Sequence, residues 1–101
     1  PEDGKIIWSK TAKDIHNLIR ATTHPYPGAF IIFKNSKLKI WKSSYIDNDN
    51  SEPGKIIDVT KHFLKVGTGK GTITLEKRNF EANDIDVNEL FSKKDIGTYL
   101  N

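Results

Sequence analysis

The sequence predicts a mainly β fold with one N-terminal helix and a short C-terminal helix, arranged as a small OB-like antiparallel barrel of about five strands. Three observations predict it. Helical periodicity is clear only near the start, over residues 12–22. Short apolar or alternating runs then succeed one another, separated by polar or glycine-rich turns and not by helices, which excludes βαβ alternation. Five strands in about fifty residues suit a barrel whose closure removes exposed edges.

The helix opens at Thr11, a hydroxyl N-cap with Asp14 three residues on, so negative charge sits near the helix N-terminus. Ala12, Ile15, Leu18 and Ile19 recur at helical spacing, and Lys13, Asn17 and Arg20 fall mostly off that face. Thr22, Thr23 and Pro25 end it, because the residue before a proline avoids the α region. Ala29–Phe33 is apolar and rich in aromatic and β-branched residues, hence a strand. Lys34–Lys37 reads as a hairpin turn, and residues 38–45 as one strand with Leu38 and Ile40 on one face and Lys37, Lys39 and Trp41 on the other. Residues 47–51 form a polar loop and Glu52-Pro53-Gly54 a turn. Strands are expected over 55–60, 62–67 and 72–78, the last two joined through Gly67, Gly69 and Gly71. Asp86–Glu89 has capping-box spacing and opens a short helix through Phe91, and Gly97 ends the segment after that helix.

The 101 residues allow one domain with a modest core. No apolar run approaches the length of a membrane span, so no membrane is expected. The absence of cysteine excludes disulfides, thiolate catalysis and cysteine-ligated metals. The chain begins at Pro1 with no signal-peptide pattern, which reads as a piece of a longer or processed protein. The net charge of +3 is uneven: residues 1–75 carry twelve Lys/Arg against seven Asp/Glu, and residues 76–101 carry four against six. That basic bias favours an anionic partner.

No self-contained catalytic set is found. Gly67–Gly71 lacks the spacing of a phosphate loop and precedes a strand, so it reads as a β-turn. His16, His24 and His62 lack metal-ligand spacing, and no metal site is expected. The acids of residues 47–51 lack the glycine and terminal glutamate of a calcium loop. The richest surface feature is residues 34–42. Lys37, Lys39, Trp41 and Lys42 combine cations with an aromatic plate, the equipment of a groove for single-stranded nucleic acid. The same residues also suit a solvated edge strand, with Trp41 covering the barrel or packing on the helix.

Residues 6–44 carry a resemblance. Ile6-Ile7-Trp8-Ser9, then Ile19-Arg20-Ala21 at the end of the helix, then Pro25-Tyr26-Pro27-Gly28-Ala29 and Lys39-Ile40-Trp41 resemble, in order, the C-terminal domain of the methionyl-tRNA formyltransferase family. Pro53-Gly54-Lys55-Ile56 and the glycine-containing hairpin at 66–71 are similar to later parts of it. The resemblance implies a cytoplasmic, one-carbon enzyme that moves a formyl group from 10-formyltetrahydrofolate to an amine. It implies that the catalytic residues lie on an N-terminal domain of the same chain. The present residues would then be a non-catalytic OB-like domain, inactive alone, that packs on the catalytic domain and shapes acceptor access. Residues 1–5 would end the interdomain linker and residues 6–101 form the domain. Trp8, Arg20, His24, Pro25, Pro27 and Gly28 are the candidates for interdomain or structural roles. For Arg20 the ordinary alternative is a pair with a carboxylate of the barrel. The acceptor that the resemblance implies is an aminosugar nucleotide or methionyl-tRNA. The Thr23-His24-Pro25 form is more similar to the aminosugar and aminoarabinose formyltransferases. If the acceptor is tRNA, Lys37, Lys39, Trp41 and Lys42 are the candidates to bind it.

Overall fold

The computed structural model of the chain describes residues 4–22, 28–47, 50–82 and 85–100. Among these residues are one long helix, α1 (Ala12–Ala21), seven strands and a short helix near the end. The strands are β1 (Ala29–Phe33), β2 (Ser36–Ile40), β3 (Ser44–Ile46), β4 (Ile56–Val59), β5 (Phe63–Gly67), β6 (Thr72–Glu76) and β7 (Phe80–Glu81). The short helix α2 is Val87–Leu90, and single 3-10 turns occur at Lys77–Asn79 and Lys93–Asp95.

The fold class is the expected one, but the strands lie in two antiparallel sheets, and among the described residues they do not close into one ring. One sheet has the order β1-β2-β7 and the other β3-β6-β5-β4. The single strand expected over 38–45 is two. The chain leaves β2 at Ile40, and after Trp41–Ser43 it re-pairs in the other sheet as β3, with Tyr45 opposite Ile73. Likewise the strand expected over 72–78 stops at Glu76, and residues 77–79 turn to start β7.

Local chemistry explains the elements. At the start of α1, Thr11 Oγ1 accepts from Asp14 N–H at 3.0 Å, and Ala12, Ile15 and Ile19 are buried along one stripe. Ala12 N–H donates to the Lys70 carbonyl at 2.8 Å, fixing the helix start to the β5–β6 turn, and α1 packs on β3 and β6. The β1–β2 hairpin turns in two residues, Lys34 and Asn35, both left-handed at φ 50° and 66°. That is the twist a two-residue hairpin needs, and it makes the turn tighter than the Lys34–Lys37 span expected. At Gly69, a Cβ would overlap the Ser9 carbonyl, so only glycine lets the β5–β6 turn lie against the chain entering α1.

Both sheets feed one core. Ile31, Leu38 and Ile40 come from the first sheet, and Leu64, Val66, Ile73 and Leu75 from the second, with Ile15 and Ile19 from the helix. Phe91 is buried beside them, stacked on Phe33 with ring centroids 4.7 Å apart and edge-on to Phe80 at 6.0 Å. The last residues close an edge: Ile56 N–H donates to Thr98 O and Gly97 N–H to Ile56 O, each at 2.8 Å, so β4 is not left bare. No helix among the described residues is long and apolar enough to cross a membrane.

Candidate functional site

Register places Lys37 and Lys39 on the outward face of the first sheet. Lys39 sits opposite Phe30 on β1 and Glu81 on β7, while Leu38 and Ile40 point into the core. The cations there are not evenly free. The Lys37 ammonium lies over the Phe30 ring, 4.2 Å from its centroid. Lys39 is half-buried. Lys34, at the tip of the hairpin, reaches the other way, donating to the Leu90 carbonyl at 2.9 Å and pairing with buried Asp95 at 3.2 Å.

Trp41 belongs to this face as an anchored plate. Its backbone N–H donates to the Asn79 carbonyl at 3.0 Å and its indole Nε1–H to Glu81 Oε1 at 3.2 Å. Its ring lies against Gly28. That glycine has φ 96°, and a Cβ there would come within 2.8 Å of the ring. Two family-resembling residues, Gly28 and Trp41, are therefore one structural unit: the glycine lets the indole approach the backbone. Lys42 leaves the plane of Lys37 and Lys39. It is exposed and lines a shallow cavity of about 150 Å³ with Arg78 and Asn79.

The remaining candidates separate by burial. Trp8 is in the core, and its buried Nε1–H has no hydrogen-bond partner among the described residues. Arg20 is exposed in the last turn of α1 and makes no ion pair among the described residues, so the expected carboxylate partner is not seen. Its charge acts on His16, whose imidazole is held below its usual range first by burial and then by the Arg20 guanidinium; a hydrogen bond with Ser43 opposes both. His16 Nδ1 lies 2.8 Å from Ser43 Oγ, and the ring packs on Tyr45. His24, Pro25 and Pro27 lie outside the described residues.

The Gly28–Trp41 unit and the glycine-dependent β5–β6 turn both fall within a stretch that matches a known domain. The model of the formyl transferase C-terminal domain covers residues 1–94. The chain belongs to the formyl transferase C-terminal domain family. Its similar proteins include the methionyl-tRNA formyltransferase of Acetivibrio thermocellus, 42% identical over 82 residues, covering 79% of this chain and 26% of that protein. That of Alkaliphilus oremlandii is 46% identical over 78 residues, covering 76% and 25%. That of Alkaliphilus metalliredigens is 37% identical over 95 residues, covering 92% and 30%. The chain thus spans only about a quarter to a third of the length of these relatives. In them this domain is one part of a larger chain.

One concavity of the described surface has no counterpart in the sequence motifs. A groove of about 750 Å³ runs between the β4–β5 turn, the 3-10 turn after β6 and the segment around α2. A second cavity of about 390 Å³ adjoins it. Their cations, Lys61, Lys77, Arg78 and Lys93, are scattered along the sequence, and no local pattern announces them. Among the described residues no cluster of His, Asp and Glu could hold a metal ion.

Proposed function

We propose that this chain is the non-catalytic C-terminal domain of a 10-formyltetrahydrofolate-dependent formyltransferase that acts on methionyl-tRNA in the cytoplasm. In this reading it packs on a catalytic domain of the same protein, which carries the folate and the reacting groups. The domain itself helps hold the tRNA through Lys37, Lys39 and Lys42. The observation that carries the reading is membership of the family, with similar proteins that are methionyl-tRNA formyltransferases.

Geometry supports the division of labour. The outward face of the first sheet offers lysines and an indole anchored by a hydrogen bond to Glu81, a surface suited to phosphate and ribose contact. The stretch that favoured an aminosugar acceptor, Thr23–Pro25, lies outside the described residues, and the similar proteins weigh on the side of tRNA.

The test is a formyl-transfer assay on the chain with 10-formyltetrahydrofolate and methionyl-tRNA, beside a binding assay with the same tRNA. The expected outcome is no formyl transfer together with measurable, salt-sensitive tRNA binding. Turnover by this chain alone would contradict the assignment of catalysis to another domain.

A further inference from the structure

Two cavities meet at three shared residues, Lys61, Lys77 and Asn88. Backbone geometry brings the two lysines there. Lys61 and His62 form the tip of the β4–β5 hairpin, closed by Thr60 N–H to the Phe63 carbonyl at 2.9 Å. Lys77 N–H donates to the His62 carbonyl at 2.8 Å, which seats the 3-10 turn beside that tip. Asn88 comes from α2, whose N-cap Asp86 accepts the Asn88 backbone N–H at 2.9 Å, and it lines both cavities.

The other charges around this junction, which include the carboxylates of Glu76, Glu81 and Asp86, are engaged, Asp86 by the Asn88 backbone N–H. Arg78 binds Glu76 at 2.6 Å, Lys93 donates to the Val59 carbonyl at 3.0 Å, and Glu81 accepts from Trp41. Lys61 and Lys77 make no ion pair among the described residues. Burial pulls the Lys77 ammonium below its ordinary pKa, and the nearby Asp86 charge only partly offsets this. A half-buried cation without an ion-pair partner is a cost to the fold that a bound anion would remove. The larger cavity also exposes apolar surface: Phe63 is 41% and Ile85 37% accessible.

We propose that the junction of Lys61, Lys77 and Asn88 is a phosphate site, and that the larger groove beside Phe63 and Ile85 takes the base of the same nucleotide. Two lysines supply charge and the Asn88 amide a directional donor for phosphate oxygens. Phe63 supplies a stacking surface of the kind that binds any base. This site shares no residue with the Lys37–Lys42 face, so it stands or falls independently of the proposed function. The phosphate of a free mononucleotide and that of a nucleotide within RNA present the same chemistry to it.

The test is an NMR titration of the ¹⁵N-labelled full chain with AMP, with inorganic phosphate and with a short oligouridylate. The expected result is that AMP moves the amides of Lys61, Phe63, Lys77 and Asn88 and binds about tenfold more tightly than inorganic phosphate. Lys77→Met should weaken AMP about tenfold, and Lys61→Met, at an exposed hairpin tip where folding is not at stake, should weaken it in the same direction. Tighter binding of the oligouridylate than of AMP at these residues assigns the phosphate to RNA, and the reverse assigns it to a free nucleotide. Equal affinity for AMP and phosphate, shifts that avoid Lys61, Lys77 and Asn88, or unchanged affinity in both variants would overturn the proposal.

Discussion

The outward face of the first sheet and the groove beside α2 both carry lysines, in the groove among Glu76, Glu81 and Asp86, yet they are built in opposite ways. On the sheet face the lysines are neighbours in sequence, and the fold disperses them. Lys34 turns to Asp95, Lys37 lies on Phe30, Lys39 faces Glu81 and Lys42 lines another cavity. In the groove the lysines are distant in sequence, and the fold gathers them: Lys61 from a hairpin tip and Lys77 from a 3-10 turn reach one junction. A dense run of charge therefore gives a broad, flat and partly neutralised surface. Convergence of isolated charges gives concavity and unpaired cations, the conditions under which a small anion is held in place.

Removing a wall of the smaller cavity that adjoins the groove should separate the two regions most strongly. Phe91 is buried, packs on Phe33 and Phe80, and lines the smaller cavity. Phe91→Ala should cost about 3–5 kcal/mol in chemical denaturation. Where it still folds, it should lose the AMP response while keeping Lys37 and Lys39 shifts with tRNA. The complementary lesion is Gly28→Ala, which puts a Cβ on the Trp41 ring at a left-handed φ. It should cost about 1–3 kcal/mol and disturb the sheet face, leaving the groove response intact. Asp95→Asn loosens the tie that joins the β1–β2 hairpin to the last segment, since Asp95 accepts from Ser92 N–H at 2.9 Å and pairs with Lys34. About 1–2 kcal/mol is expected, with a small effect on both regions.

The smallest effect is a pH dependence located in neither region. His16 has a folded pKa below its ordinary 6.5, so the unfolded chain binds more protons there as pH falls through 6.5. Stability contributed by neutral His16 is present above that pH and is lost below it, down to the folded pKa. A thermal-melt series from neutral to mildly acidic pH should show the midpoint falling, with a shallower fall in His16→Gln.

Much of the fold is legible in local chemistry. The Thr11 cap, the apolar stripe of α1 and the alternation of Leu38 and Ile40 are short-range patterns, and the structure has them where the residues put them. The family resemblance likewise rests on contiguous residues, and Gly28 with Trp41 has a packing reason. The features that escape a reading of the sequence depend on partners far along the chain. Alternation continues through Trp41 and hides the switch of sheets, because a strand that changes partner keeps its own periodicity. The pairing of Ile56 with Thr98 is made by backbone groups and leaves no side-chain pattern. The groove is hidden for the same reason: Lys61 and Lys77 are sixteen positions apart, and the Lys77–His62 backbone bond unites them.

If this is a tRNA-holding, non-catalytic formyltransferase domain, the lysines of its sheet face, together with Lys42 beyond that face, meet the phosphates. The salt dependence of methionyl-tRNA affinity, measured for the chain and for the Lys39→Ala/Lys42→Ala double variant, tests that arrangement. Log affinity should fall linearly with log salt, and the double variant should bind more weakly with a slope flatter by about two. A chain that fails to bind tRNA at low salt, or a double variant with an unchanged slope, would contradict it.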